Sequence, residues 1–344
     1  MTPTTISDTV ICNRRAVLKN RIGSTGLTSS APLFGTMRHE LFQAALRENN
    51  FTRNFINERI PQIIERNAEA LFACDVSSLE AEIEVKKAVP QMCEFMKQFT
   101  KAGKKMFGSL ANGRLERHGG YPALNFLVDE VELIEDMLVS HELGLKGAVD
   151  VIVRATTSQI GARAAATSSL VCIELKTGHM QKTQSSHMAQ LALYTLLVHT
   201  RYGPTAPNDD QMGSGALLYL NNENLHAIHI APFVSEIKSL IGQRNSLAIE
   251  QTRASKPRGI KVVTMSENDM PGESSVLLEP PPPANLPRIE TSIGTCRRCY
   301  TNRECMMYAG AEQASPHNDT NEITTDKYAE LTRQVTGHLS KEDF

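Results

Sequence analysis

The sequence has no excess of charge of either sign. Its 36 Lys and Arg stand against 38 Asp and Glu, a formal net charge of −2 at pH 7. A broad basic surface of the kind that grips nucleic acid indiscriminately is therefore not expected. No secretory leader is expected: the first twenty residues hold Asp8, Cys12, Arg14 and Arg15 and no apolar run. No hydrophobic stretch approaches the length needed to cross a bilayer, so no membrane partner is expected. There is no Gly-x-x-x-x-Gly-Lys-[Ser/Thr] loop. Gly103-Lys-Lys lacks the upstream glycine and the following hydroxyl, which excludes an ATP-driven motor within these residues. The seven cysteines are odd in number. Without a leader they point to a reducing compartment, where clustered thiols speak for metal rather than disulfides.

What is present begins with two short apolar runs that read as strands. Gly144-Leu-Lys-Gly-Ala-Val-Asp150 ends on a carboxylate, and Leu170-Val-Cys-Ile-Glu174-Leu-Lys176-Thr-Gly178 carries a second carboxylate and a lysine two residues apart. A spacing of two puts Glu174 and Lys176 on one face of the strand. Two carboxylates and a lysine at the ends of neighbouring strands can hold Mg²⁺ or Mn²⁺ through hard oxygens and stabilise charge during phosphodiester hydrolysis. This is the pattern of a PD-(D/E)XK nuclease. A carboxylate inside an otherwise apolar strand needs such a reason. Gln190 and Tyr194, four apart, share one face of the following helix, where an amide and a phenol could orient a catalytic group.

The cysteines form a second constellation, Cys296-x2-Cys299-x5-Cys305, just after a proline-rich stretch. Three thiolates want a fourth. Cys172 reads as a small core residue, and Cys74 and Cys93 fall in or near amphipathic helices. Cys12, in the helix-like Val10-Ile-Cys-Asn-Arg-Arg-Ala-Val-Leu18, is the best fourth ligand. By spacing, zinc and an iron–sulphur cluster both remain open, with the irregular spacing and remote first ligand leaning towards a cluster.

Taken in order, these motifs resemble a known family. They are Ile11 to Leu18, Gly35-Thr-Met-Arg-His39-Glu-Leu-Phe-Gln43, Gly144 to Asp150, Glu174 to Gly178, Gln190-x-x-x-Tyr194-Thr-Leu-Leu197, Gly215-Ala-Leu-Leu-Tyr-Leu220 and the cysteine triplet. The sequence is similar to the nuclease domain of the eukaryotic DNA replication ATP-dependent helicase/nuclease family, in the iron–sulphur, RecB-like branch of the PD-(D/E)XK nucleases. The resemblance runs from about Ile11 to about Tyr308. It implies that Asp150, Glu174 and His39 hold Mg²⁺ or Mn²⁺, that Lys176 is the catalytic lysine, and that Gln190 and Tyr194 back the site. It further implies a [4Fe–4S] cluster on Cys12, Cys296, Cys299 and Cys305 that staples the start of the chain to its last folded segment. The implied activity is single-stranded DNA cleavage at 5′ flaps and ends, in Okazaki fragment maturation and double-strand-break repair. The implied partners are flap DNA, the single-strand-binding protein and replication and repair factors. The implied location is the nucleus, with mitochondria as a second site. The family joins its nuclease to a helicase, so the chain is expected to be either the nuclease part of such a protein or a free-standing RecB-like exonuclease. A catalytically idle, cluster-stabilised DNA-binding module is the alternative from another class.

The rest of the sequence organises around this core. We expect an N-terminal segment over 1–36, a helical region over 37–135, a nuclease core over 136–260 and a proline-rich linker over 261–290. A cysteine segment over 291–310 and a tail over 311–344 follow. Apolar residues at helical spacing predict helices over 37–50, 51–73 and 79–99, with Pro61 and Pro90 marking bends or boundaries. Strands are expected at 145–153, 170–176, 215–220 and 225–231, and a helix over 234–253. Helices alternating with these strands predict an α/β fold with a mixed sheet flanked by helices. The small, polar segment 154–169 reads as a hairpin or loop insertion. Lys101, Lys104, Lys105, Arg114, Arg117, Arg297, Arg298 and Arg303 could line a path for a strand.

Overall fold

A computed structural model of the chain describes residues 1–22, 30–101, 108–112, 124–159, 166–178, 185–203, 213–220, 225–230, 234–254, 286–289, 292–314 and Arg333. It divides into two compact units. The first comprises Met1–Ile11 and Ser24–Gly242, the second Cys12–Gly23 and Gln243–Phe344.

The first unit opens with α1 (Pro3–Thr9), whose N-cap hydroxyl, Thr2 Oγ1, accepts from Thr5 N at 3.2 Å. Five helices follow: α3 (Ser30–Arg47), α4 (Arg53–Arg66), α5 (Ala68–Ala73), α6 (Ser78–Lys86) and α7 (Val89–Phe99). Short α2 (Asn13–Ile22), between α1 and α3, belongs to the second unit. The expected helical stretches are thus present; Thr52 and Ser77 cap the starts of α4 and α6, the second stretch divides at Asn67 and the third at Ala88. Pro90 sits in the first turn of α7, as a boundary proline should. Pro61 does not mark a boundary: it lies inside α4. The carbonyl of Asn57 that it leaves without a donor is on the exposed side, where water can serve it. Ile56, Ile60, Ile63 and Ile64 hold the opposite face in the core.

The sheet consists of β1 (Gly108–Asn112), β2 (Leu124–Ser140), β3 (Leu145–Gln159), β4 (Thr167–Lys176), β5 (Ser214–Tyr219) and β6 (His226–Ile230). They pair in that order, antiparallel except for β4–β5, and two parallel pairs from β1 to β6 close the ring. The mixed sheet is the one expected; its closure through β1 is not visible in the sequence. The helical region expected over 37–135 stops at Phe99, and 124–135 belong to β2. Two register shifts, between Val128 and Glu130 and between Val131 and Leu133, break the two-residue alternation that would have announced this strand. Of the segment 154–169, Arg154–Thr157 pair antiparallel with Thr167–Leu170, and 160–165 lie outside the described residues.

Alternation along the central strands sorts two cores. Val151, Val153 and Ala155 of β3 and Val171, Ile173 and Leu175 of β4 pack with α3, α4 and α7, around Phe42, Phe51, Phe95 and Phe99. Ile152, Cys172 and Leu217 face the other way, with helix α8 (Ser185–Tyr202) and Ile6 of α1. Burial of such side chains stabilises by about 1.5–3 kcal/mol each. Glu174 and Lys176 share the face of Cys172, so both project beneath α8.

The second unit contains α2, the end of α9 (Val234–Ala254), α10 (Ile293–Arg297) and α11 (Asn302–Ala314). The linker prolines 280–283 and almost all of the tail beyond 314 lie outside the described residues. No described helix is long and apolar enough to cross a membrane.

Candidate active site and cysteine cluster

Two glycines let the site assemble. A Cβ on Gly35 would stand 2.9 Å from Thr177 Oγ1, so any larger residue would have to displace the Thr177 hydroxyl where α3 meets the end of β4. One turn later α3 delivers His39, whose Nδ1 is 3.7 Å from Asp150 Oδ1. Arg38 fixes the same junction, donating to Thr177 O at 3.3 Å and to Glu84 O at 2.8 Å. A Cβ on Gly147 would stand 2.9 Å from both Pro3 Cδ and Tyr194 Cε1, so this glycine admits α1 and α8 to the sheet. Gly147→Val should therefore lower the melting temperature by several degrees, the equivalent of about 1–3 kcal/mol of overpacking. A melting temperature equal to that of the parent would show that Tyr194 gives way freely.

Asp150 on β3 and Glu174 on β4 are neighbours across the sheet. Asp150 Oδ2 accepts from Leu175 N at 2.7 Å. Glu174 is almost fully buried, and its Oε1 accepts from Lys176 Nζ and from Gln190 Nε2, both at 2.7 Å. Lys176 Nζ also donates to Gln190 Oε1 at 2.9 Å, so the amide bridges acid and base. Gln190 reaches Thr4 Oγ1 at 3.3 Å, and Gln190 and Thr4 both hydrogen-bond the Tyr194 hydroxyl. Glu174 Oε2 is buried with no partner, an arrangement that normally costs about 1–3 kcal/mol or more for a charged group.

The electrostatics follow from this crowding. Burial pushes Glu174 up to about 7, with Asp150 raising it further and Lys176 opposing. Burial likewise pushes Asp150 up to about 6; the Leu175 N–H and Lys176 oppose the rise, and Glu135 adds to it. His39 is lowered, chiefly by burial. Burial also raises the Tyr194 phenol, so it stays a neutral donor and acceptor.

All five residues singled out on β3, β4 and α8, together with His39, thus stand in one place. Sequence reasoning missed Thr4, which α1 brings to Gln190. It also missed His187, one turn before Gln190, whose Nδ1 is 2.9 Å from Tyr219 Oη and which burial and Lys176 push down to about 4. Among the described residues no three of His, Cys, Asp and Glu form a ready-made metal group. The donors nevertheless suit a hard divalent cation: a buried carboxylate raised by its half-buried neighbour, an imidazole kept neutral, and one carboxylate oxygen with nothing bound to it.

Cys12, Cys296, Cys299 and Cys305 belong to the second unit, whereas Cys74, Cys93 and Cys172 belong to the first. None is in a disulfide. Burial raises the Cys305 thiol, Arg14 opposes that rise, and the nearby Cys12 and Cys299 add to it. Arg14, fully buried, donates Nε to Cys305 Sγ at 3.3 Å and Nη1 to Pro287 O at 3.1 Å. Cys299 N donates to Cys296 O at 3.0 Å, and Leu18 and Met306 pack against Cys296 and Cys305. A Cys305 thiol beside a buried guanidinium, raised by Cys12 and Cys299 and packed with Cys296 against apolar side chains, has the chemistry of an anionic metal–thiolate centre. Of the basic residues, Lys101 is paired with Asp129 at 3.0 Å and Arg298 donates to Gly294 O at 3.2 Å. Arg15 and Lys19 lie over the exposed ring of Tyr300. Lys104, Lys105, Arg114 and Arg117 lie outside the described residues.

Comparison with known proteins agrees with the motif reading. Residues 1–155 match the family model described as DNA replication factor Dna2. The chain is 31% identical over 244 residues to the DNA replication ATP-dependent helicase/nuclease JHS1 of Arabidopsis thaliana, covering 69% of this chain and 17% of that protein. It is 28% identical over 261 residues to the helicase/nuclease dna2 of Schizosaccharomyces pombe, covering 76% of this chain and 17% of that protein. It is 26% identical over 315 residues to human DNA2, covering 90% of this chain and 26% of that protein. The chain thus spans about a sixth to a quarter of the length of these relatives.

Proposed function

We propose that this Dna2-like chain is a divalent-metal-dependent deoxyribonuclease with a PD-(D/E)XK core, acting on single-stranded DNA at 5′ flaps and ends. The observation that carries the reading is the buried, unpartnered Glu174 Oε2 beside Asp150. Asp150, Glu174 and His39 would hold Mg²⁺ or Mn²⁺, which when bound supplies positive charge at the phosphate and promotes attack by water. Lys176 carries a fixed charge towards the same point and stabilises the phosphate in the transition state. Gln190 holds Lys176 and Glu174 at a set separation, and Thr4 and Tyr194 hold Gln190, so the lysine does not collapse onto the carboxylate alone. The setting would be Okazaki fragment maturation and double-strand-break repair in the nucleus, and in mitochondria. There it would meet flaps coated by the single-strand-binding protein. The two alternatives, a free-standing exonuclease and an idle DNA-binding module, part from this reading by substrate and by activity respectively.

The test is digestion of end-labelled single-stranded and flap DNA by purified, metal-replete chain. Cleavage in Mg²⁺ or Mn²⁺ that chelation abolishes supports the proposal. Protein that binds the DNA and leaves it whole overturns it in favour of the idle module.

For the cysteines we propose a [4Fe–4S] cluster on Cys12, Cys296, Cys299 and Cys305 as a structural staple. Protein purified without oxygen should carry iron and acid-labile sulphide in equal amounts. Cys305→Ala should lose both and lower the melting temperature by at least several degrees, since metal-binding energy is folding energy. Stoichiometric zinc without sulphide would replace the cluster by a zinc site.

A further inference from the structure

We propose that Glu135 is a further carboxylate of the divalent-cation site, held there by Gln43 directly across the sheet from Asp150. The inference rests on the proposed function and names a ligand that neither the motifs nor the comparisons supply. Pairing of Ile134 with Val151 and of Asp136 with Val149 makes position 135 the one that faces Asp150. The backbone at Glu135 has φ 53°, in the left-handed region. Among the described residues the other non-glycine cases are Asn49 and Asp75, each just past a helix end, where such a conformation is ordinary. Glu135 alone adopts it within a strand.

A glutamate in the middle of a 17-residue strand gains nothing locally from a left-handed turn of backbone. Such strain persists where surrounding structure fixes a side chain for a purpose. What fixes it here is Gln43, itself buried, whose Nε2 donates to Glu135 Oε1 at 2.9 Å. Gln43 is four residues beyond His39 on α3, so the helix face that delivers the imidazole also delivers the anchor for Glu135. Its place opposite Asp150, anchored from the helix that carries His39, puts Glu135 in the same cluster of donors. Unlike Glu174, Glu135 is exposed, and thus sits on the side of the site that solvent and substrate enter. A solvated strand charge would need neither the buried amide nor the strained backbone.

The experiment measures Mn²⁺ binding to the full chain by the electron paramagnetic resonance of free Mn²⁺, together with the melting temperature. The variants are Glu135→Gln, Glu135→Gly and Glu174→Gln. We expect Glu135→Gln to bind Mn²⁺ at least tenfold more weakly with an unchanged melting temperature. Glu135→Gly should bind as weakly yet melt higher, because glycine accepts the left-handed backbone without strain. Parental affinity in both Glu135 variants, with affinity lost in Glu174→Gln, overturns this inference and leaves the site reading intact. Equal affinity in the parent and in Glu174→Gln overturns the site reading itself, and this inference with it.

Discussion

Glu174→Gln should cut single-stranded DNA slower than the parent by a factor on the order of a thousand or more, while melting no earlier at pH 8. The two halves of this expectation have one cause. In the metal-free parent at pH 8, Glu174 is charged although burial has pushed it up to about 7 from 4.5. Keeping it charged costs folding on the order of 3 kcal/mol. Glutamine removes that cost and keeps an oxygen to accept from Gln190. It also removes the counter-charge of Lys176, which opposes the gain, so the net change in stability is small. The loss of rate is not small, because the unpartnered oxygen that would meet the metal becomes an amide. Lys176→Ala is the less informative change. It strips a buried carboxylate of its ion-pair partner, an effect worth about 3–5 kcal/mol, and confounds chemistry with folding. The decisive measurement is a single-turnover rate on labelled DNA beside a melting curve at the same pH. Parental rates would remove Glu174 from the chemistry. A rate loss accompanied by a large fall in melting temperature would make it a folding residue instead.

The elements that sequence reading found are those whose periodicity survives intact. The apolar run around Glu174 and the four-residue spacing of Gln190 and Tyr194 are local, and local spacing fixes which face a side chain takes. The strand β2 was hidden because its two register shifts scramble the alternation, and its paired apolar residues then read as helix. The residues missed near the site share a different cause. Thr4, Gln43 and Glu135 matter only through partners 186 and 92 positions away in sequence, and no periodicity reports such a meeting. The glycines tell the same lesson in reverse. Gly35 and Gly147 were visible as parts of motifs, but their reason, room for Thr177, Pro3 and Tyr194, is a property of packing. Cys12 could be chosen over Cys74, Cys93 and Cys172 from sequence context. The division of the chain then puts Cys12 with Cys296, Cys299 and Cys305 in one unit, although it is nearly three hundred residues from them in sequence.

The second large effect is on metal affinity as a function of pH. Carboxylates bind a cation only when deprotonated, so every proton they hold must leave as metal enters. Without metal, Asp150 is pushed up to about 6 and Glu174 to about 7. The logarithm of Mn²⁺ affinity should therefore climb by nearly two per pH unit below about 6. It should climb by about one between about 6 and about 7, and level off above that. His39 adds little to this slope, since its lowered pKa leaves it neutral through most of the range. Across pH 5 to 8 the expected gain is on the order of a thousandfold, far beyond what carboxylates at ordinary values near 4 would give. Calorimetry in buffers of different ionisation heat should count one to two protons released near pH 6 and almost none at pH 8. The same protons act on stability with a definite sign. The raised carboxylates contribute fully below their unfolded values of 3.8 and 4.5, and that contribution is lost as pH rises through about 6 and about 7. His187, lowered from 6.5 to about 4, works the other way: its contribution is present above 6.5 and lost as pH falls towards about 4. Metal-free protein should thus show a shallow melting profile between pH 4.5 and 6.5, where the two trends oppose. Saturating Mn²⁺ cancels the carboxylate trend, and the melting temperature should then rise steadily with pH over that interval. A proton count near zero at pH 6, or an Mn²⁺ affinity flat from pH 5 to 8, would mean that Asp150 and Glu174 do not hold the cation.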